Sequence, residues 1–215
     1  MPSAPLLARR RQIVAVIVAA AIGTIVLALH YAGGHRAGRL DHAIDSRLQH
    51  RLGGHLRFLE HLVRLGDPPT VVAICAVLAV VLFFAGRRKA AALAVFGPAV
   101  AAGFTEFVLK PLIDRRLNDA LSFPSGHTTG AVSVAVVIIV VLIGPSRPRW
   151  PMVVRWAASA LALLEAVAVA TALVGTGYHY ATDTLGGFCV AVGLVLTVAL
   201  AIDELAEHRG HARAA

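Results

Sequence analysis

Long apolar stretches separated by short polar breaks dominate this chain. Six of them are long enough to cross a membrane as α-helices, since a helix spans the hydrocarbon core with about 20 mostly apolar residues. The predicted spans cover residues 13–31, 70–86, 90–109, 125–143, 152–174 and 183–202. The pattern therefore predicts an all-α integral membrane bundle of six transmembrane helices.

The segment 33–69, between the first two spans, has a different pattern. Apolar residues recur there at helical spacing among arginines and histidines: Leu40, Ile44, Leu48, Leu52, Leu56, Leu59 and Val63. This spacing favours one or two amphipathic helices that lie in the membrane interface. The segment also contains the histidines His42, His50, His55 and His61. They lack a recognised metal-ligand spacing, so we interpret them as part of a solvated helix face.

The polar regions at alternate ends of the spans determine the predicted orientation. One set is basic, and the positive-inside rule therefore predicts that it is cytoplasmic. It comprises the leader 1–12, the turns 87–89 and 144–151, and the tail 203–215. The transmembrane domain is then 13–202. The other set is predicted to lie on the outer face of the cell membrane, and comprises 33–69, 110–124 and 175–182.

Composition and charge agree with a membrane protein. Hydrophobic residues make up 58% of the chain and charged residues 15%, and the mean hydropathy is +0.75, which excludes an ordinary soluble domain. The formal net charge is +8, but the arginines lie in short runs between apolar segments. Membrane topology and anionic lipid therefore explain them better than nucleic acid does. Cys75 and Cys189 lie inside apolar stretches and are interpreted as packing residues.

Two of the predicted outer segments contain residues suited to binding and transferring phosphate. The first has Lys110, Arg115 and Arg116, followed by Pro-Ser-Gly-His at 124–127. Free N–H groups at the start of the helix that follows would attract an anion, and Gly126 would let an oxyanion approach the backbone. Ser125 is expected either to cap this helix or to donate its hydroxyl to a phosphate oxygen.

The second segment contains Tyr-His-Tyr-Ala-Thr-Asp at 178–183. His179 and Asp183 are spaced i, i+4, so both side chains would lie on one face of a helix, and the carboxylate would accept the Nδ1 proton of the imidazole. Nε2 would then be free to act as a nucleophile. A purely structural His–Asp hydrogen bond is the alternative.

Together these residues resemble the signature motifs of the type 2 phosphatidic acid phosphatase superfamily, over about residues 90–200 with a motif core at 110–187. Residues 124–127 match the middle motif in full, and 179–187 match the catalytic half of the third. The resemblance implies that His179 forms a phosphohistidine, that Asp183 orients it, and that His127 protonates the leaving oxygen. It implies no metal or other cofactor. It also implies phosphate binding by Lys110, Arg115 or Arg116, Ser125 and Gly126.

The sequence departs from the family pattern at two positive groups. In the family the first motif reads Lys, six residues, Arg, Pro, but here that spacing reaches Leu117 and Asn118, so Arg115 or Arg116 would have to substitute. The third motif normally opens with Ser-Arg, where this chain has Ala172 and Leu173. Each lost charge-assisted hydrogen bond to phosphate represents roughly 1.5 to 3 kcal/mol.

The predicted function is hydrolysis of a phosphomonoester or pyrophosphate on a membrane lipid, such as phosphatidic acid, phosphatidylglycerol phosphate or a polyprenyl (pyro)phosphate. The predicted partners are this substrate and membrane lipids, without nucleic acid. One alternative is a lapsed enzyme that only binds lipid phosphate, which the missing arginine favours. A transporter is the other, since Glu106 and Glu165 lie within spans, but the ionisable residues cluster at one membrane surface.

Overall fold

The computed structural model of the chain describes residues 4–145 and 147–212, and these ranges are mostly helical. Their α-helices are α1 Arg10–Tyr31, α2 Arg39–Leu52, α3 Leu56–Leu65, α4 Pro68–Phe84, α5 Arg88–Phe104, α6 Lys110–Ile113, α7 Gly126–Ile143, α8 Met152–Gly175 and α9 Ala181–Ala212. A 3₁₀ turn, Gly53–His55, joins α2 to α3, and a π-helical segment, Thr105–Leu109, joins α5 to α6. A short antiparallel hairpin of β1 Arg116–Leu117 and β2 Ala120–Leu121 precedes α7.

The helices form the predicted membrane bundle. In the described part of the chain, five helical stretches are each long and apolar enough to span a membrane: α1, α5 continued to Ile113, α7, α8 and α9. Helix α4 has 17 residues and is bent by 46° from the segment before it; if this bent pair is counted as one span, the number of candidate spans is six. The prediction of an all-α, multi-pass membrane protein is confirmed.

Helix α7 forms the centre of the bundle, whereas α1 lies at its edge. In the most apolar 18-residue window of α7, 67% of the residues are buried, against 6% in α1. Helix α1 packs on α9 through small residues, because an added Cβ at Gly23 would lie 3.1 Å from Cys189 Sγ. Small residues let membrane helices approach closely. The remaining apolar surface of α1 is therefore left for lipid.

The predicted cytoplasmic segments meet at one end of the bundle. The backbone amides of Leu6 and Leu7 donate hydrogen bonds to the carboxylate of Asp203, and Lys89 Nζ lies 3.2 Å from the same group. Helix α9 continues to Ala212, beyond the predicted end of the span at 202. The parts of the leader, turn and tail predictions that fall on residues 1–3, 146 and 213–215 lie outside the described residues.

The segment between α1 and α4 is amphipathic, as predicted, and lies at the opposite end of the bundle. Leu59 and Val63 of α3 are buried. The histidines His42, His50, His55 and His61 are exposed. Helix α2 is tied to α8 by the hydrogen bond that Gln49 Nε2 donates to Val174 O. We call this end of the bundle the α2 end.

Candidate active site

Two glycines bring the start of α7 and the start of α9 together at the α2 end. A Cβ at Gly186 would lie 2.5 Å from the Phe123 ring, and one at Gly187 would lie 2.6 Å from Ser125 O. Ser125 N donates a hydrogen bond of 3.0 Å to Asp183 O across the same contact. The Pro-Ser-Gly-His turn and the His-to-Asp segment are therefore in direct contact, although they are distant in sequence.

Ser125 is the N-cap of α7, which was one of the two roles expected for it. Its Oγ accepts hydrogen bonds from Thr128 N at 3.3 Å and from Thr128 Oγ1 at 3.1 Å. The side chain is fully buried. In this conformation the hydroxyl stabilises the helix start and has no exposed surface to offer a phosphate.

The anion position predicted at Gly126 is occupied by a carboxylate of the chain itself. A Cβ added to Gly126 would clash with Glu106 Oε1 and would lie 3.7 Å from Lys110 Nζ. Lys110 Nζ in turn lies 2.8 Å and 2.9 Å from the two oxygens of Glu106. Lys110 and the N-terminus of α7 thus converge on one negative group, as a phosphate site requires.

His127 and His179 face each other at this position. Their ring centroids are 6.4 Å apart and their planes are inclined by 62°. His127 Nε2 lies 3.0 Å from Asp67 Oδ1, and because a carboxylate only accepts, the ring donates this hydrogen bond. The described residues contain no group of three or more His, Cys, Asp or Glu placed to hold a metal ion.

His179 lies in the turn between α8 and α9, not inside a helix as its spacing to Asp183 suggested. Its backbone N–H donates to Leu173 O at 3.3 Å, which holds the turn against the end of α8. His179 Nδ1 is 3.6 Å from Asp183 Oδ2, too far for a hydrogen bond, although the two groups are adjacent. Oδ2 instead accepts a hydrogen bond from Tyr180 N at 3.1 Å. The predicted pairing is therefore present as a close contact only.

Arg115 is fully buried and is bonded to three side chains. Its Nη1 donates to Thr182 Oγ1 at 2.7 Å and to Asp183 Oδ1 at 2.5 Å. Its Nη2 donates to Asp41 Oδ2 at 2.5 Å. A guanidinium with two carboxylates and no exposed surface cannot reach a phosphate in this conformation. The structure thus shows Arg115 engaged with Asp41 and Asp183, and phosphate binding by Arg115 or Arg116 stays a prediction.

Two aromatic rings complete the surroundings of Arg115. The guanidinium carbon lies 4.0 Å from the ring centroid of Tyr31 and 4.3 Å from that of Tyr180. Arg116, the other candidate clamp, is partly exposed, and its Nε lies 2.8 Å from Asp114 Oδ1. Its Nη1 also donates to Asp119 O at 3.2 Å, so Arg116 is bonded within its own hairpin.

Sequence reasoning missed the two carboxylates of α2 that hold the start of α9. Asp41 Oδ1 accepts a hydrogen bond from Thr182 N, and Asp45 Oδ1 accepts one from Ala181 N. Burial raises the pKa of Asp45 to about 6. Burial also opposes ionisation of Asp41, but hydrogen bonds from Thr182 and Arg115 outweigh it and lower the pKa of Asp41. The i, i+4 spacing of the two acids beside the apolar stripe of α2 was the available signal.

Comparison with known proteins identifies the family of the chain and a solved structure that has a similar fold. The family model of the PAP2 superfamily matches residues 70–206. A search of curated proteins finds no match. Among solved structures, the chain is similar to the first transmembrane PAP2 type phosphatidylglycerolphosphate phosphatase from Bacillus subtilis. The TM-score is 0.71 at 20% identity, over 87% of this chain and 96% of that one, which shows a shared fold.

Proposed function

Because the chain belongs to the PAP2 superfamily, we propose that it hydrolyses a phosphomonoester or pyrophosphate on a membrane lipid through a phosphohistidine on His179. The observation that carries this proposal is the facing pair of histidines, with ring centroids 6.4 Å apart. A phosphoryl group between them would make one contact of about 3 Å with an attacking nitrogen and one with a proton donor. His127 comes from α7 and His179 from the turn between α8 and α9, so the tertiary fold is what assembles the pair.

The reaction would proceed in two steps. In the first, Nε2 of His179 attacks phosphorus, the bond to the lipid oxygen breaks, and His127 gives that oxygen a proton. In the second, His127 takes a proton from water, the water oxygen attacks phosphorus, and the P–N bond breaks to release phosphate. Asp183, adjacent to His179 Nδ1, would stabilise the imidazole as it becomes positively charged.

An apolar cavity supports a lipid substrate. It has a volume of about 230 Å³ and lies between α2, α7, α8 and α9, with Ile44, Thr128, Ala181 and Phe188 among its lining residues. Thr128 directly follows His127 in the chain. A hydrocarbon chain fits such a lining.

The proposal also includes an orientation, with cytoplasmic termini and a site that opens on the outer face of the cell membrane. The leader and the turns 87–89 and 144–151, at the other end of the bundle, are basic. The α2 end also carries arginines in 33–69, but acidic residues there offset part of their charge: Asp41, Asp45, Glu60 and Asp67.

Lys110 and the N-terminus of α7 would hold the phosphate oxygens, with Gly126 leaving room for them. In this conformation two positions that would supply further cations in the family do not do so. Arg115 is enclosed by carboxylates, and the arginine position of the third motif is taken by Leu173, a buried apolar residue. This arrangement favours one second candidate function, a membrane protein that binds lipid phosphate without hydrolysing it.

A lipid panel separates the two functions. Purified protein would be given phosphatidic acid, phosphatidylglycerol phosphate and polyprenyl phosphate and pyrophosphate in detergent micelles, and released phosphate would be measured against protein-free micelles. The proposed enzyme releases phosphate from at least one of them. Saturable binding of a lipid phosphate without any release would support the second function and contradict the first.

Glu106 gives a prediction about substrate affinity. Because its carboxylate contacts both Lys110 and the α7 start, a phosphate must displace it. We expect Glu106→Gln to lower the inhibition constant of inorganic phosphate by about 5- to 20-fold, because a competing charge is removed. Glu60→Gln, at an exposed position of α3, is the matched control. A higher inhibition constant in Glu106→Gln would show instead that Glu106 holds Lys110 in place for phosphate.

A further inference from the structure

We infer that Asp67 is the positioning residue of His127, so that each histidine of the site has its own carboxylate. The inference rests on the proposed function and deepens it. Asp67 lies in the turn between α3 and α4, outside the motif core at 110–187. No motif of the chain includes it, and its link to the site is visible only in the folded protein.

The first observation is the direction of the Asp67 side chain. Asp67 is the N-cap residue of α4, a position where aspartate commonly bonds the first free N–H groups of its helix. Here its side chain makes no capping hydrogen bond, and the first two residues of the helix, Pro68 and Pro69, have no N–H to offer. Oδ1 accepts a bond from His127 Nε2 at 3.0 Å. The carboxylate is therefore not engaged by its own helix start and bonds the histidine of a neighbouring helix.

The second observation is the fit of the turn against His127. An added Cβ at Gly66 would lie 3.1 Å from His127 O, 3.2 Å from His127 Cβ and 2.8 Å from Val169 Cγ1. Such contacts are too close for a side chain, so glycine lets the turn pack directly on His127. This packing fixes the backbone of Asp67 relative to the imidazole ring.

The chemical consequence concerns the proton that His127 transfers. Held by Asp67 at Nε2, the imidazolium keeps one ring orientation and presents its other N–H to the leaving oxygen. That proton goes to the oxygen as the P–O bond breaks, and the electron pair of the bond leaves with the oxygen. The carboxylate keeps its own charge throughout and lowers the energy of the positive ring. Asp67 thus acts through His127 and does not touch phosphate.

The test compares leaving groups. A lipid alkoxide needs the proton, whereas nitrophenolate leaves without one, so loss of positioning should affect the two substrates differently. In Asp67→Asn we expect kcat for a lipid phosphate to fall by about 10- to 100-fold, with KM changed less than about threefold. With nitrophenyl phosphate, kcat should fall less than about threefold. Asp67→Glu should recover part of the lipid activity, since it restores the carboxylate.

The controls distinguish an Asp67 that orients His127 from an Asp67 that only stabilises the folded protein. Glu60→Gln removes the same charge from an exposed site of α3 and should leave both activities unchanged. An equal fall of kcat for both substrates, or full lipid activity in Asp67→Asn, would overturn the role of Asp67. If His127→Ala also retained full lipid activity, the proposed function would be contradicted as well. If only His127→Ala lost activity, the role of Asp67 would be wrong and the proposed function would be unaffected.

Discussion

Replacing His179 with alanine is expected to reduce phosphate release from lipid phosphates at least about 10³-fold, because the mechanism has no other nucleophile. The side chain is 11% exposed and is not bonded to another side chain through Nδ1. Its removal should therefore leave the melting temperature of the purified protein nearly unchanged. Activity and thermal unfolding would be measured on the same preparation.

His61 supplies the matched control for this variant. It is an exposed histidine of α3 at the α2 end, and its Nδ1 lies 2.7 Å from Arg57 O of its own helix. His61→Ala should retain full activity. More than about a tenth of the wild-type rate in His179→Ala would eliminate the covalent mechanism.

Replacing Arg115 with methionine is expected to have the largest effect on stability. The change leaves Asp41 and Asp183 buried without their shared cation, and breaking a buried ion pair in this way costs about 3–5 kcal/mol. For a domain of this size the melting temperature should fall by roughly 10 °C. Activity should fall as well, since Asp183 lies beside His179.

Two further arginine variants show whether the charge of Arg115 or the geometry of its guanidinium group is responsible for the loss of stability. Arg115→Lys keeps the charge but cannot bond two carboxylates and Thr182 with one rigid fork, so an intermediate melting temperature is expected. Arg116→Met removes a partly exposed ion pair and should change stability by less than about 1 kcal/mol. Equal melting temperatures for Arg115→Met and Arg116→Met would contradict the structural role of Arg115.

The membrane bundle could be predicted from the sequence because its signals are local. Span length follows from apolar run length, and the amphipathic segment follows from the spacing of its leucines. The contact between 124–127 and 179–187 could be expected only from the resemblance to a family, since no local rule joins them. The structure shows that contact directly, through Gly186 and Gly187.

The residues that sequence reasoning missed or misplaced depend on distant partners. Asp41 and Asp67 look like ordinary polar residues of an interfacial segment, and only the fold places them against Arg115 and His127. Arg115 follows Lys110 at nearly the family spacing, which suggested a phosphate ligand. Burial between two carboxylates is a property of the assembled bundle, so no pattern in the sequence records it.

The covalent intermediate gives the most direct test of the central claim. Wild-type protein would be mixed with a lipid labelled at phosphorus, quenched in alkali, which preserves phosphohistidine, and digested for mass spectrometry. The account predicts label on His179 in wild-type protein and none in His179→Ala. Turnover of the lipid with label on another residue, or with no labelled protein at any quench time, would contradict it.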